Sequence, residues 1–242
     1  MTTYKLEIAT SADELAQRAS DTIETAIDWA LANHDRAQIA LCGGTTPAET
    51  YRRLGRQHLP WDRVDVLLGD ERWVGPEDPA SNARLLRETL MAEPPGQSAR
   101  FHPVPTDQAT PELGAAVFGH LIRQLCPGDP PIFDLILLGL GDDGHTASLF
   151  PYTAAAAQRD RPVTVGIGKG LERISLTAPV LSAARQVVFL VSGAGKQQAL
   201  GRLLDPLEPA ERTPARLVQP QSPVLILADQ AAAAGLELPA AS

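Results

Sequence analysis

FDLILLGLGDDGHTASLFP, residues 133–151, is the stretch on which the reading of this chain turns. Its first seven residues form an apolar run of strand length, broken only by Asp134, the pattern of a parallel strand covered on both faces. A glycine-rich turn comes directly after the run, and in open parallel sheets ligands lie beyond the carboxyl ends of the strands. Six more runs of strand length surround it: KLEIA (5–9), QIALCG (38–43), DVLLG (65–69), RISLT (173–177), QVVFLVS (186–192) and PVLILA (223–228). They alternate with longer stretches of helical period, so parallel pairing is expected throughout. The predicted fold is α/β: a doubly wound, mainly parallel, Rossmann-like sheet with helices on both faces.

Helix starts are marked chemically. Ser11 with Glu14 forms a capping box before Leu15, Ala19, Ile23 and Ile27, and Thr46-Pro47-Ala48-Glu49 combines a second box with proline at the first helical position. Further helices are expected near 81–91, 111–126, 195–204 and 229–235. The Pro/Gly-rich segments 92–110 and 205–216 read as surface connections. No repeat and no interdomain linker interrupts the chain, so 1–242 reads as one domain.

At 242 residues, 44% hydrophobic and 21% charged, the chain affords a large core and is too apolar for disorder. No run approaches the ~18 apolar residues of a membrane span, and the N-terminus lacks the layout of a signal peptide. A cytoplasmic, soluble protein with no membrane partner is expected. The net charge of -8, without a Lys/Arg cluster, argues against nucleic acid. Cys42 and Cys126 are too few and too far apart for a zinc motif or a disulfide framework. His34, His58, His102 and His120 show no metal-ligand spacing and read as surface residues. Neither a metal nor a cofactor is expected.

Four turns after strands carry candidate chemistry. In Gly43-Gly44-Thr45-Thr46, paired glycines before a helix suit an anion such as phosphate, although the same residues serve as a plain strand-to-helix connection. Asp70-Glu71-Arg72, with Ser81-Asn82 further on, offers a base and an anion clamp; a solvated acidic loop with Arg72 as counter-ion is the other reading, favoured for Glu71 and Ser81 taken singly. Gly139, Gly141 and Gly144 spell GxGxxG, but a histidine follows where a dinucleotide-binding helix should pack, so that reading is rejected. A histidine at a helix N-terminus has its pKa lowered by the dipole, which makes His145 a candidate general base. Asp143 either orients its ring or caps the helix. Lys196, after QVVFLVSGAG, faces the same crevice. No serine-hydrolase elbow or Walker A loop is present.

Taken together and in order, GGTTP (43–47), DER with SN (70–72, 81–82), GLGDDGHTASLFP (139–151), RISLTAPVL (173–181) and GAGK (193–196) resemble the 6-phosphogluconolactonases of the oxidative pentose phosphate pathway. The resemblance spans nearly the whole chain; Cys42 stands where that family often has serine, and Tyr152 where glycine is usual. It implies a fold of the deaminase/lactonase type and hydrolysis of a small-molecule sugar-phosphate lactone. His145 would be the water's base, with Asp143 and Asp70 as supporting carboxylates. Gly43 to Thr46, Arg72, Arg173 and Lys196 would hold the phosphate, and backbone N–H groups around Gly141–Gly144 would receive the oxyanion. Glucosamine-6-phosphate deaminases share the fold and a similar GxGxDGH segment, but carry a glutamate before the proline where this chain has Phe150. A sugar-phosphate sensor domain fits less well, because no DNA-binding segment precedes the first strand and a catalytic-looking histidine is kept.

Overall fold

Seven parallel strands form the central sheet of the computed structural model, which describes residues 2–236. In chain order these are β1 (Tyr4–Ala9), β2 (Ala37–Leu41), β3 (Val64–Leu68), β5 (Arg100–Phe101), β6 (Leu135–Gly139), β9 (Gln186–Val191) and β10 (Val224–Asp229). Across the sheet they run β1-β10-β9-β6-β2-β3-β5. All residues of β2 and β3 are buried, polar Gln38 and Asp65 included, as strands covered by helices on both faces must be. The chain winds outward in one direction from β2 through β3 to β5, and in the other from β6 through β9 to β10. β2 and β6 are neighbours, with Ile39 opposite Leu135, so the switch in winding direction lies between them. The turns at the carboxyl ends of these two strands therefore open side by side, where a crevice forms.

The first helix, α1 (Ala12–Asn33), starts as its sequence predicts: the Ser11 hydroxyl accepts from the Glu14 N–H at 3.1 Å. Glu14 turns back onto the backbone N–H and hydroxyl of Thr10 instead of Ser11, and these bonds hold its exposed carboxyl down to about 2. Its apolar stripe, Ala19, Ile23, Ile27 and Ala30, is wholly buried. Helix α2 (Ala48–Gly55) departs from expectation, because Pro47 is its N-cap residue and Thr46 makes no side-chain cap. Helices α3 (Asn82–Glu88), α4 (Pro111–Leu125), α7 (Gln197–Leu204) and α8 (Gln230–Ala233) lie within the predicted stretches. Two short helices, α5 (Ala154–Ala157) and α6 (Ala178–Ala183), complete the set. No helix among the described residues is long and apolar enough to cross a membrane.

Three expectations need correcting. RISLT does not join the parallel sheet: β8 (Leu171–Leu176) is the middle strand of a separate antiparallel sheet, between β4 (Asp70–Arg72) and β7 (Val163–Gly168). Asp70-Glu71-Arg72 is likewise a strand and not a solvated loop. The segment 92–110 is more than a surface connection, since β5 within it pairs with β3 and extends the main sheet.

His102, expected on the surface, is partly buried with Nε2 2.8 Å from Asp65 Oδ1. Arg36 adds two bonds to the same carboxylate, at 2.7 and 3.2 Å. Burial disfavours the charged Asp65, but the bonds from His102 and Arg36 outweigh it and hold the carboxyl down at about 2. Because this lies below the ordinary 3.8, the group stabilises the fold above that pH, and the effect is lost as pH falls through about 2. Asp65→Asn is expected to cost about 1.5–3 kcal/mol at pH 7, the scale of charge-assisted bonds. Urea unfolding of both proteins across pH checks this: the difference should shrink towards pH 2, and a pH-independent difference would contradict it.

Candidate active site

The turn after β2 is shaped by what surrounds it. The buried Tyr51 hydroxyl donates to the Cys42 carbonyl at 2.6 Å and anchors the strand's end. Burial pushes the Cys42 thiol up to about 12, so it stays protonated. A Cβ on Gly43 would lie 1.8 Å from Asn82 Oδ1, and Gly44 adopts a left-handed φ of +107°. Both glycines are thus required by position. Among the described residues, the backbone N–H groups of Gly43, Gly44, Thr45 and Thr46 donate to no other protein group. They remain available at the mouth of an uncapped helix.

Behind this turn, Glu71 is a buried organiser. Its carboxylate accepts from the N–H groups of Arg72, Asn82 and Ala83 at 2.7–2.8 Å and from the Ser81 hydroxyl at 3.2 Å. Burial raises its pKa and those backbone bonds oppose the rise. Ser81 in turn caps α3, accepting from the Arg84 N–H. Neither residue is the exposed polar group that its type suggested. Asp70 is held by the Ser148 hydroxyl at 2.6 Å, with Arg173 Nη1 at 3.8 Å and the Asn82 amide at 3.5 Å.

The turn after β6 is not a helix start. Gly141 N–H donates to the His145 carbonyl at 2.8 Å, Gly144 N–H to the Gly141 carbonyl at 3.0 Å, and the Thr146 hydroxyl to the Gly139 carbonyl at 2.9 Å. Gly144 and Ala147 take left-handed φ values of +90° and +46°. Two of the N–H groups expected to form an oxyanion site are therefore engaged within the turn. Asp143 Oδ1 accepts from the His145 N–H at 3.0 Å and lies 2.5 Å from Nδ1. A carboxylate only accepts, so Nδ1 carries the proton and Nε2 keeps its lone pair. The His145 pKa is lowered, chiefly by burial and not by a helix dipole; the bond and charge of Asp143 oppose this, and the charge of Lys169 reinforces it.

Phe150 stacks on the His145 ring at 4.3 Å between centroids, 29° from parallel, and the Arg173 guanidinium lies 5.4 Å from the phenyl centre. A Cβ on Gly168 would fall 1.9 Å from the Phe150 ring, and one on Gly141 would fall 2.0 Å from His145 Nδ1. The histidine is consequently fixed by packing as well as by hydrogen bonding. Gly141→Ala is expected to displace the ring and lower kcat at least tenfold with the fold intact, as steady-state kinetics and circular dichroism will show.

These turns enclose a cavity of about 330 Å³ that brings together Gly43 to Thr46, Asp70, Arg72, His145, Arg173 and Lys196. Asp143 stands behind the histidine, outside the lining. Asp70 makes no hydrogen bond to His145, so Asp143 is the ring's carboxylate partner. Arg173 is buried and held by the Gly168 carbonyl at 3.1 Å, while Arg72 Nη1 reaches the Ala80 carbonyl at 2.5 Å. The buried Arg72 Nε has no partner among the described residues. Sequence reasoning missed Lys169, which lines the cavity from the tip of the β7–β8 hairpin, and gave Asn82 and Ser148 no role. Four cations thus converge on one crevice of a chain whose net charge is -8. No cluster of three or more His, Cys, Asp or Glu among the described residues is arranged to hold a metal.

The sequence profile described as glucosamine-6-phosphate isomerases/6-phosphogluconolactonase matches residues 10–227. The chain belongs to this family. It is 44% identical over 225 residues to a 6-phosphogluconolactonase of Synechocystis, covering 92% of this chain and 94% of the relative. A Nostoc 6-phosphogluconolactonase is 40% identical over 96% of this chain and 98% of its own. The solved 6-phosphogluconolactonase of Trypanosoma brucei superposes with a TM-score of 0.84 at 28% identity, over 96% of this chain and 98% of that one. The family's shared architecture is the parallel sheet with helices on both faces described above.

Proposed function

We propose that this chain hydrolyses 6-phospho-D-glucono-1,5-lactone to 6-phospho-D-gluconate, the lactonase step of the oxidative pentose phosphate pathway, with residues 1–242 acting as one catalytic domain. The observation that carries the reading is His145 itself: a neutral imidazole, proton on Nδ1 and lone pair on Nε2, lining the cavity that Arg72, Arg173 and Lys196 make cationic. Relatives named 6-phosphogluconolactonase, similar along more than nine-tenths of their length, support the same substrate.

In this mechanism the phosphate is gripped by the free N–H groups of Gly43–Thr46 with Arg72, Arg173 and Lys196. That grip sets C1 beside a water whose proton His145 Nε2 takes as the water oxygen bonds to C1. The carbonyl π pair moves onto oxygen, then returns as the bond from C1 to the ring oxygen breaks. The ring oxygen leaves with the proton held by His145, and the new carboxylic acid loses its own proton to solvent. Asp143 keeps the ring in the required tautomer and stabilises the imidazolium. Asp70 supports Arg173 from the cavity floor.

The deaminase reading loses its chemical basis at Phe150. That reaction calls for an acid beside the histidine, and here a phenyl ring is packed against both His145 and the Gly168 backbone. The decisive assay supplies freshly made 6-phosphogluconolactone and follows acid release above the spontaneous rate. Absence of acceleration, or release of ammonia from glucosamine 6-phosphate, overturns the proposal. Activity is also expected to survive exhaustive chelation, since the chemistry needs only a base and an anion grip. Loss on chelation with recovery on adding zinc or magnesium would contradict that. The acidic limb of kcat/KM should have its midpoint below the ordinary histidine value of 6.5, because His145 must be neutral to act and its pKa is lowered. A midpoint above 6.5 would count against His145 as the base.

A further inference from the structure

We propose that Lys169 is the cation that receives the negative charge developing on the C1 oxygen and then holds the C1 carboxylate of the product. This rests on the lactonase reading above and assigns the cation that acts on its C1 oxygen. The turn that carries His145 contributes no cation, and three of its N–H groups are already engaged: Gly141 and Gly144 spend theirs inside the turn and His145 donates its own to Asp143. Arg72 and Arg173 are each tied to a backbone carbonyl, Ala80 and Gly168, and Arg173 also faces Asp70.

Lys169 is placed differently. Gly168 pairs with Leu171, so Lys169 and Gly170 alone form the hairpin turn, with left-handed φ values of +52° and +79°. Two-residue hairpins of this hand favour Asn, Asp or Gly at their centre, and a lysine there bears a conformational cost that local stability does not explain. The turn carries the ammonium over the cavity, where Nζ lies 3.4 Å from Asp142 Oδ1. Asp142 belongs to the His145 turn, which brings the lysine to the reacting end of the site. Both side chains of this pair are more than half exposed, at 57% and 67%, so water screens it and a second anion can displace it. The lysine charge also bears on His145, lowering its pKa and favouring the neutral ring that a base requires.

The two anions of the product separate this role from phosphate binding. Calorimetry with 6-phosphogluconate and with glucitol 6-phosphate, which carries CH2OH in place of the carboxylate, isolates the contribution of the C1 end. The parent should bind 6-phosphogluconate more tightly. Lys169→Ala should weaken 6-phosphogluconate at least tenfold and glucitol 6-phosphate less than twofold, and should lower kcat by about 10²-fold with a much smaller change in KM. Lys169→Arg should restore most of both. Equal weakening of the two ligands would move Lys169 into the phosphate grip and overturn the proposal, as would no weakening of either. An inactive parent would defeat the lactonase reading, while the ligand pair would still report whether Lys169 recognises a C1 carboxylate. Thermal unfolding of the variants separates these outcomes from damage to the fold.

Discussion

His145→Ala is expected to lower kcat by about 10²–10⁴-fold, the usual contribution of a positioned general base, while changing the affinity for 6-phosphogluconate little. The asymmetry arises from where the ring stands. It is held by Asp143 and Phe150, and the phosphate grip lies on other turns, so its loss removes a group that acts in the transition state and leaves ground-state binding in place. The remaining rate would come from positioning and charge alone. Asp143→Ala sharpens the test, because it removes the one oxygen that holds both the His145 N–H and Nδ1. Without that acceptor the ring is free to carry its proton on Nε2, and a ring protonated there cannot accept a proton from water. Its kcat should therefore approach that of His145→Ala, and the double variant should be little worse than either, as for residues acting as one unit. Near-normal kcat in His145→Ala would remove the histidine from the mechanism; additive losses would separate the two residues. Stopped-flow acid release, corrected for spontaneous hydrolysis, reads all three.

Why the sequence discloses some of this and not the rest has physical reasons. Within FDLILLG, QVVFLVS and PVLILA, the stretches Leu135–Leu138, Val187–Val191 and Val224–Ala228 announce buried parallel strands because both faces are covered and no polar residue interrupts them. RISLT alternates polar Arg173, Ser175 and Thr177 with apolar Ile174 and Leu176, and β8 lies in the antiparallel sheet; a run this short does not by itself state the direction of its partner. Glu71 shows the same limit from the polar side. Its type suggests exposure, and only the fold reveals three backbone N–H groups and a serine waiting for its carboxylate. His145 is legible from its motif, whereas the cause of its lowered pKa is not. The motif suggests a helix dipole; burial beside Phe150 is the finding, because the turn closes on itself before any helix begins. Lys169 gives no signal at all, since a lysine and a glycine between two strands read as an ordinary turn. It enters the site through hairpin length alone.

The unphosphorylated glucono-δ-lactone is expected to be a poor substrate although its reacting ester is the same. The phosphate grip acts at a distance: Gly43 to Thr46, Arg72, Arg173 and Lys196 line the cavity that also holds His145, so phosphate binding energy positions C1 against the water. A phosphate near -2 at pH 7 makes the loss large. Each charge-assisted contact is worth roughly 1.5–3 kcal/mol, so losing one costs about 10–150-fold in kcat/KM and losing the group costs more. Lys196 is the informative residue to remove. It sits on the turn after β9, whose neighbours are pinned independently, with the Ser192 hydroxyl and the Gly193 N–H both bound to Asp229 at 2.6–3.1 Å. Truncating the lysine thus leaves the turn in place. Lys196→Ala should narrow the preference between the two lactones, chiefly by damaging turnover of the phosphorylated one, and added inorganic phosphate should not restore it. A variant that discriminates as strongly as the parent would take Lys196 out of the grip. A parent that hydrolyses both lactones equally well would dismiss the phosphate site altogether, and the Gly43 turn would then be only the connection its residue types allow.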